Sequence, residues 1–346
     1  IIPIGIDKKG RWIAGNAFEA LSSGDAGGFA AELLPDPQAS ALMQLNERDR
    51  EPTSLSVVAE LDVVIPVLHG TYGEDGTVQG LLELAGLPYV GAGVVGSAVG
   101  MDKAIFKYVM TANNIPVLPW HLVVITTWKD NPEGIVSEIE AKLAYPVFTK
   151  PANLGSSVGI SKCTNHIELE EGLAEAFRYD RRVVIEQGID ARELEVSVLG
   201  NEEPIASIVG DIRPRRAFYD YYAKYIAEPG SEDESELIIP AEISPMTADK
   251  VRQLAIRAYK VIDCAGMGRV DLLLDKKNDR LYLNEINTIP GFTQISMYPK
   301  LWEASGLTYG ELLDRLIDLA IERREIKDKL ATTFKIADQA DKQNAR

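Results

Sequence analysis

The feature that most constrains the fold is a pair of apolar-rich runs near the C-terminal end. The runs, RVDLLLD (269–275) and LYLNEIN (281–287), are separated by the five residues KKNDR, and this spacing predicts a β-hairpin. If the two strands close symmetrically on that turn, Asp271 lies directly opposite Glu285. Like charges in such a pair are destabilising unless another group neutralises them. The hairpin therefore predicts a neutralising group beside these two carboxylates.

The same register places Arg269 opposite Asn287, on the strand face that carries Asp271 and Glu285. Two carboxylates and an amide oxygen suit a hard divalent cation, Mg²⁺ or Mn²⁺, which takes water and phosphate oxygens as further ligands. A solvated, charged hairpin face is the alternative, because a hairpin register slips easily by one residue.

A second candidate site is the segment KPANLGSSVG (150–159), in which Lys150 leaves a strand and enters a loop with two glycines and two serines. Successive backbone N–H groups in such a loop bind anions, and lysine adds a positive charge for phosphate. A plain hairpin turn fits the segment equally well. Together with an oxygen-ligand metal site downstream, the loop indicates a nucleoside triphosphate.

Two other nucleotide-binding patterns are excluded. The segment GAGVVG (91–96) matches G-x-G-x-x-G, but no Asp or Glu lies between Asp102 and Asp130, where a dinucleotide site needs its acidic residue. We interpret these glycines as a tight turn between domains. The P-loop pattern G-x-x-x-x-G-K-[ST] does not occur.

The composition indicates a globular protein. The 346 residues are 46% hydrophobic and 25% charged, enough for two or three domains. The net charge of −16 argues against a nucleic-acid or anionic-membrane partner. Neither a long apolar run nor a secretory signal is present, which favours a cytoplasmic protein. Two cysteines and three histidines are too few for a disulfide framework or a zinc cluster.

Strands and helices alternate along the chain, which predicts an α/β (α+β) fold. We expect loops and short helices over 14–55, and then buried parallel strands at 61–70 and 87–93 around a helix that ends at Gly86. The first hundred residues therefore suggest an open α/β sheet. Helices are predicted over 101–113, 167–178 and 247–262, together with an antiparallel strand pair that turns at Gly200.

Seven segments, in order and across nearly the whole chain, resemble the ATP-grasp ligases and, within them, the bacterial D-alanine:D-alanine ligases. They are LHGTYGEDGTVQG (68–80), VGSAVGMDK (95–103), YPVFTKPANLGSSVG (145–159), EQGIDARELEVSVLG (186–200), FYDYYAKY (218–225), GRVDLLLD (268–275) and LNEINTIPGFTQISMYP (283–299). The resemblance implies three domains with ATP clamped between the last two. The implied ranges are 1–97, 98–188 and 189–330, with a lid at 211–236 and a polar tail at 331–346.

The resemblance also implies the reaction. One D-alanine carboxylate attacks the γ-phosphate of ATP, and the amino group of a second D-alanine attacks the resulting acyl phosphate. The products are phosphate, ADP and D-alanyl-D-alanine for peptidoglycan, cell-wall biogenesis and cell shape. Two Mg²⁺ or Mn²⁺ ions and a homodimer are further implications. Relatives that make D-alanyl-D-lactate lack the tyrosine-bearing lid of this chain, which favours a dipeptide product.

The resemblance assigns residues to ATP and metal. The metal ligands are Asp271, Glu285 and Asn287. The phosphate contacts are Lys103, Lys150, Lys224 and the covering loop Ser156 and Ser157. The adenine edge is Glu186, Gln187, Gly188 and Ile189, and Glu193 takes the ribose hydroxyls, although a surface charge is the simpler interpretation of Glu193.

It likewise assigns residues to catalysis and to D-alanine. Arg269 and the backbone N–H of Gly291 stabilise the oxyanion, and Tyr225 hydrogen-bonds Ser156 when the lid closes. His69 and Glu74 match the first-alanine side of the pocket, and Ser296 and Met297 match the second. Structural roles for His69 and Ser296 are the alternatives.

Two other functions stay open. Family members carry a strand and a glycine-rich loop, with an acidic residue for the first D-alanine, ahead of a segment like IIPIGIDKKGRW, where this sequence begins. This motivates an ATP-binding protein with an impaired first-substrate site. The other alternative is a ligase of a different amino or hydroxy acid.

Overall fold

The structure is a computed structural model that describes residues 1–17, 28–48, 51–155, 157–213 and 236–331. Three β-sheets with connecting helices make up this part of the chain. We call them the N-terminal, middle and C-terminal sheets. Among the described residues, no helix combines the length and the apolar character needed to cross a membrane.

The N-terminal sheet is an antiparallel meander in strand order β1-β2-β3-β4-β5. Its strands are β1 (Gly5–Ile6), β2 (Trp12–Gly15), β3 (Gly28–Leu33), β4 (Ala41–Arg48) and β5 (Glu51–Glu60). The prediction of loops and short helices for 14–55 is therefore wrong for the described residues that form these strands, while 18–27, 49 and 50 lie outside the described part of the chain. The apolar signal was weak because the buried cluster of this sheet consists of Ala14, Ala31 and Leu42, while Leu55, Val57 and Val58 face solvent.

Within the described stretch 51–155, the parallel strands predicted at 61–70 and 87–93 are not formed. The two segments meet at a single parallel bridge, Val64 to Tyr89, with two 2.9 Å backbone hydrogen bonds. Ile65 and Val67 are 41% and 61% exposed. An apolar run indicates extended chain, but it does not show whether a neighbouring strand lies on either side.

Helix α1 (Thr77–Leu84) follows as predicted and is ended by Gly86, whose φ of +69° favours glycine. Helices α2 (Val94–Met101) and α3 (Lys103–Ala112) come next, and Asp102 caps α3. The segment 91–96 packs closely, because a Cβ on Gly96 would lie 2.9 Å from the Asp263 carbonyl oxygen. The lack of a side chain at Gly96 therefore allows the backbone at Asp263 to approach closely.

The middle sheet is antiparallel in strand order β6-β9-β7-β8. Its elements are β6 (Trp120–Val124), α4 (Ile125–Asp130), α5 (Pro132–Lys142), β7 (Val147–Pro151), β8 (Ser161–Cys163), α6 (His166–Ala176) and β9 (Arg182–Gln187). One face packs on α5 and α6 through residues such as Ile139 and Leu169. On the other face, Val184 and Ala152 pack against Ala104 of α3, so this helix lies beside the polar side chains of that face.

The C-terminal sheet has strand order β12-β11-β10-β13-β14. Its strands and helices are β10 (Ala191–Leu199), β11 (Ile205–Arg213), β12 (Glu236–Ile238), α7 (Pro245–Val261), β13 (Met267–Asp275), β14 (Leu281–Asn287), α8 (Met297–Ala304) and α9 (Tyr309–Asp328). One face forms the largest core with Tyr259 of α7 and with Phe106 and Met110 of α3. Helix α3 therefore packs against both sheets, and the opposite face of the C-terminal sheet carries the charged residues.

Candidate active site

The predicted hairpin forms, with Arg269 opposite Asn287 and Asp271 opposite Glu285. Nearer the turn the register shifts by one, because Leu272 pairs with Leu283. Asn284 is therefore the extra residue of a β-bulge, a feature that often lies next to active sites. Symmetric closure is confirmed for the four polar residues and is wrong for the residues beside the turn.

A third carboxylate extends this row across the sheet. Glu195 of β10 lies opposite Asp271, so three acidic residues occupy neighbouring positions on three strands. Arg269 compensates part of this negative charge by pairing with two of the three. Its Nε and Nη2 lie 2.8 and 2.7 Å from the two Asp271 carboxylate oxygens, and its Nε lies 3.2 Å from Glu195 Oε2. Although burial opposes the charge, Asp271 and Glu195 raise the pKa of Arg269 well above its ordinary value.

Sequence reasoning missed Glu195. The available signal was the alternation in RELEVSVLG, which places Glu193 and Glu195 on one face of β10. A strand face is expected to be either buried and apolar or solvated and polar. Glu195 is charged and yet only 2% exposed, so this face fits neither case.

The donor set of this face fits a hard divalent cation. Glu193, Glu195 and Asp271 each offer a carboxylate oxygen, and these atoms lie within 4.8 Å of one another. Asn287 Oδ1 accepts the Ile289 N–H at 3.1 Å and has a second lone pair to offer. Oxygen donors without sulfur or imidazole are the ligands that Mg²⁺ and Mn²⁺ prefer.

The middle sheet and helix α3 together contribute a cluster of lysines. Lys150 Nζ lies 2.7 Å from Glu186 Oε2, and Lys107 Nζ lies 2.7 Å from Glu186 Oε1. Burial alone would raise the pKa of Glu186, but the two lysines lower it to about 2. Lys103 donates to the Leu154 carbonyl oxygen at 2.5 Å, which ties α3 to the glycine-containing loop.

The two charged faces interact electrostatically. Burial lowers the pKa of Lys103, and Glu285 opposes that shift. Burial also acts against the charge of Lys150, but Glu186, with a smaller contribution from Glu285, raises its pKa above the ordinary value. Glu285 of the C-terminal sheet therefore acts electrostatically on lysines of α3 and of the middle sheet.

Glu74 lies at the same place. Its carboxylate accepts the Gly70 N–H, and one of its oxygens lies 3.8 Å from where a Cβ on Gly155 would be. Burial, and after it repulsion from Glu285, raises the pKa of Glu74 to about 7 against the opposing Gly70 hydrogen bond. The pKa of His69 is lowered by burial and by Arg269.

Comparison with known proteins identifies the family. The family model "D-ala D-ala ligase N-terminus" matches residues 1–92, and "D-ala D-ala ligase C-terminus" matches residues 109–318. The chain belongs to the D-alanine–D-alanine ligase family. A "D-alanine--D-alanine ligase" of Heliobacterium modesticaldum is 49% identical over 334 residues, which is 96% of this chain and 88% of that relative. One from Natranaerobius thermophilus is 45% identical over 96% of this chain and 89% of the relative.

Two solved structures of D-alanine ligases share the fold. The D-alanine-D-alanine ligase from Coxiella burnetii has a TM-score of 0.78 and 36% identity, covering 94% of this chain and 85% of that one. The VanG D-Ala:D-Ser ligase from Enterococcus faecalis has a TM-score of 0.79 and 33% identity, covering 92% and 89%. The family resemblance and the ATP-grasp fold of mixed α/β class are thereby confirmed.

The strand end that the ligase resemblance assigns to adenine is held by local hydrogen bonds. The side-chain amide of Gln187 accepts the Ala144 N–H at 2.8 Å and donates to the Ala144 carbonyl oxygen at 2.6 Å. The Gly188 N–H donates to the Pro146 carbonyl oxygen at 2.8 Å. Ile189 is half-buried beside them. These contacts fix the backbone of this strand end. The Gln187 side chain is occupied by its hydrogen bonds to the Ala144 backbone.

The residues assigned to the second D-alanine lie at the start of α8. Ser296 Oγ accepts the Thr293 N–H at 3.1 Å and lies 2.9 Å from where a Cβ on Gly291 would be. The Met297 side chain is buried against Leu301. The hydroxyl of Ser296 thus holds the loop that carries Gly291.

Some assigned residues of the ligase lie outside the described part of the chain. They are Ser156, Lys224 and Tyr225, together with most of the expected lid and nearly all of the expected tail. Ser157 is described, and its φ of +58° is a left-handed conformation within the loop.

Proposed function

We propose that this protein joins two D-alanine molecules into D-alanyl-D-alanine at the expense of ATP, through a D-alanyl phosphate, for peptidoglycan synthesis. The observation that carries the proposal is the charged hairpin face, where Asp271 lies opposite Glu285 and pairs with Arg269, in a chain whose two parts match the ligase family. Glu285 also acts electrostatically on Lys103 and Lys150. Such a site suits phosphoryl transfer, where catalysis consists largely of positioning and charge stabilisation.

The proposed nucleotide site lies between the middle and C-terminal sheets. Lys103 and Lys150 supply positive charge for the phosphates, with Ser156, Ser157 and Lys224 completing their cover. Glu186, Gln187, Gly188 and Ile189 form the adenine edge, and Glu193 receives the ribose. Asp271, Glu285 and Asn287 would hold two Mg²⁺ ions, which would supply positive charge for the transferring phosphoryl group.

In this proposal the two D-alanine substrates bind on the side of the site opposite the nucleotide. His69 and Glu74 bind the first D-alanine, and the loop of Ser296 and Met297 binds the carboxylate of the second. Arg269 and the Gly291 N–H stabilise the negative charge that forms when the amino group attacks the acyl phosphate. Tyr225 closes the lid through Ser156, which excludes water from that intermediate.

The proposal includes the organisation of the protein. We assign the N-terminal domain to 1–97, the central domain to 98–188 and the C-terminal domain to 189–330, with the lid at 211–236. We further propose a homodimer that works in the cytoplasm without nucleic acid or membrane.

Phosphate release from ATP, measured with and without D-alanine, tests the activity. We expect turnover that depends on D-alanine, with one D-alanyl-D-alanine formed per phosphate in the mass spectrum. ATP turnover or nucleotide binding that D-alanine leaves unchanged would instead identify an ATP-binding protein with an impaired first site. The many relatives that carry the ligase name do not favour that alternative.

The second alternative, a different second substrate, has a structural motive. A neighbour at a TM-score of 0.79 is described as a D-Ala:D-Ser ligase. Equimolar D-alanine, D-serine and D-lactate in one reaction therefore provide the control, and we expect the mass of D-alanyl-D-alanine to dominate. A mixed product in excess would overturn the substrate assignment.

A further inference from the structure

Lys107 is a buried lysine to which the reaction outlined above gives no role. It lies on α3, one helical turn after Lys103, and its side chain is 2% exposed. Lysine is almost never fully buried unless a partner compensates its charge. The partner here is Glu186, whose Oε1 lies 2.7 Å from Lys107 Nζ.

Glu186 pairs with two lysines whose side chains differ in solvent exposure. Its other oxygen, Oε2, lies 2.7 Å from Lys150 Nζ. The Lys150 side chain is 17% exposed, whereas Lys107 and Glu186 are each 2% exposed. Lys150 therefore faces the site, while Lys107 holds the carboxylate from the protein interior.

We propose that Lys107 is a positioning residue that keeps the Glu186 carboxylate compensated, so that Lys150 can exchange this carboxylate for the phosphates of the nucleotide. The inference rests on the proposed function, because it takes Lys150 as a phosphate ligand. No covalent step is involved. One ion pair of Glu186 is exchanged, and the other stays in place.

The physical reason is the cost of an unpaired buried charge. Without Lys107, movement of Lys150 toward a phosphate leaves Glu186 as an isolated carboxylate in the interior, which is strongly unfavourable. Lys150 is then held back by Glu186 and the phosphates bind less well. With Lys107 present, the carboxylate keeps one charged hydrogen bond throughout.

The location of Lys107 supports this role. The Lys103 N–H donates to the Ala152 carbonyl oxygen at 2.8 Å, and Lys103 Nζ reaches the Leu154 carbonyl oxygen at 2.5 Å. Helix α3 is thus fixed to the loop that follows Lys150. Because Lys107 lies one turn further along the same helix, its position relative to Glu186 is set by the same contacts.

Equilibrium binding of ADP and of adenosine, measured by calorimetry, tests the proposal. We expect Lys107→Met to weaken ADP binding at least about tenfold and to leave adenosine binding within about twofold, because only ADP requires Lys150. The double variant Lys107→Met/Glu186→Gln removes the buried charge as well and leaves the backbone at the adenine edge unchanged, because both side-chain oxygens of Glu186 bond to lysines. We expect it to regain most of the lost ADP affinity. Lys142→Met, which breaks an exposed lysine–glutamate pair with Glu138, is the matched control and should bind ADP normally.

Three results would overturn the inference. They are wild-type ADP affinity in Lys107→Met, equal losses for ADP and adenosine, and a double variant that binds ADP no better than the single one. If Lys107→Met does not fold, the double variant decides alone. ADP affinity within about threefold of wild type supports the proposal, and a loss of about tenfold or more contradicts it. A wild-type protein that binds ADP but forms no dipeptide would refute the proposed ligation and leave this test intact.

Discussion

Replacing Arg269 with methionine is expected to lower kcat by about 10²- to 10³-fold and to lower Tm. The activity falls because the guanidinium stabilises the oxyanion in the proposed reaction. The stability falls because Glu195, Asp271 and Glu285 occupy neighbouring positions on three strands, and Arg269 bonds two of them directly. Removing one partner of a buried ion pair typically costs about 3–5 kcal/mol. Steady-state kinetics and thermal melting measure the two effects.

Two further variants separate charge from geometry. Arg269→Lys keeps the positive charge but loses the planar fork that bonds both oxygens of Asp271, so we expect partial recovery of Tm and little recovery of kcat. Arg252→Met breaks an exposed arginine–aspartate pair on α7 and should leave both quantities unchanged. An Arg269→Met protein with the Tm and kcat of the wild type would refute the role of Arg269.

Replacing Glu285 with glutamine is expected to lower turnover at least about a hundredfold while changing the free energy of unfolding by less than about 1 kcal/mol. The effect on stability is small because two contributions oppose each other. The substitution removes repulsion from Asp271, which lies directly opposite, and it also removes attraction to Lys103. Activity falls because the variant loses a proposed metal ligand.

Binding of Mn²⁺ in the presence of ADP, followed by electron paramagnetic resonance, tests the metal role of Glu285 without an activity assay. We expect the variant to bind Mn²⁺ at least about tenfold more weakly than wild type. Glu203→Gln removes an equal charge from a fully solvated side chain and is the control. Unchanged Mn²⁺ affinity in Glu285→Gln would remove Glu285 from the metal site.

The polar face of the hairpin could be predicted because local rules determine it. A five-residue turn and the two-residue period of strands were enough to place Asp271 opposite Glu285. The bulge at Asn284 could not be predicted, because an extra residue changes the register without any local sequence signal. The bulge lies between Glu285 and the turn, so the four site residues kept the predicted pairing.

The N-terminal sheet and the ion-pair network required long-range information. The sheet of β1 to β5 buries few apolar side chains, so the alternation that reveals a strand is weak in its sequence. Lys107 and Glu186 are 79 positions apart and meet only because α3 packs across the middle sheet. A buried lysine in a helix looks in sequence like any solvated lysine, and its role becomes visible only with its partner.

The path of one oxygen atom tests the proposed ligation most directly. D-Alanine labelled with ¹⁸O in its carboxylate is supplied with unlabelled ATP, and the released phosphate is examined by mass spectrometry. Because a carboxylate oxygen attacks the γ-phosphorus and stays with phosphate when the amine displaces it, we predict one ¹⁸O in each phosphate. Unlabelled phosphate would mean that water attacks ATP, and it would contradict the D-alanyl phosphate intermediate.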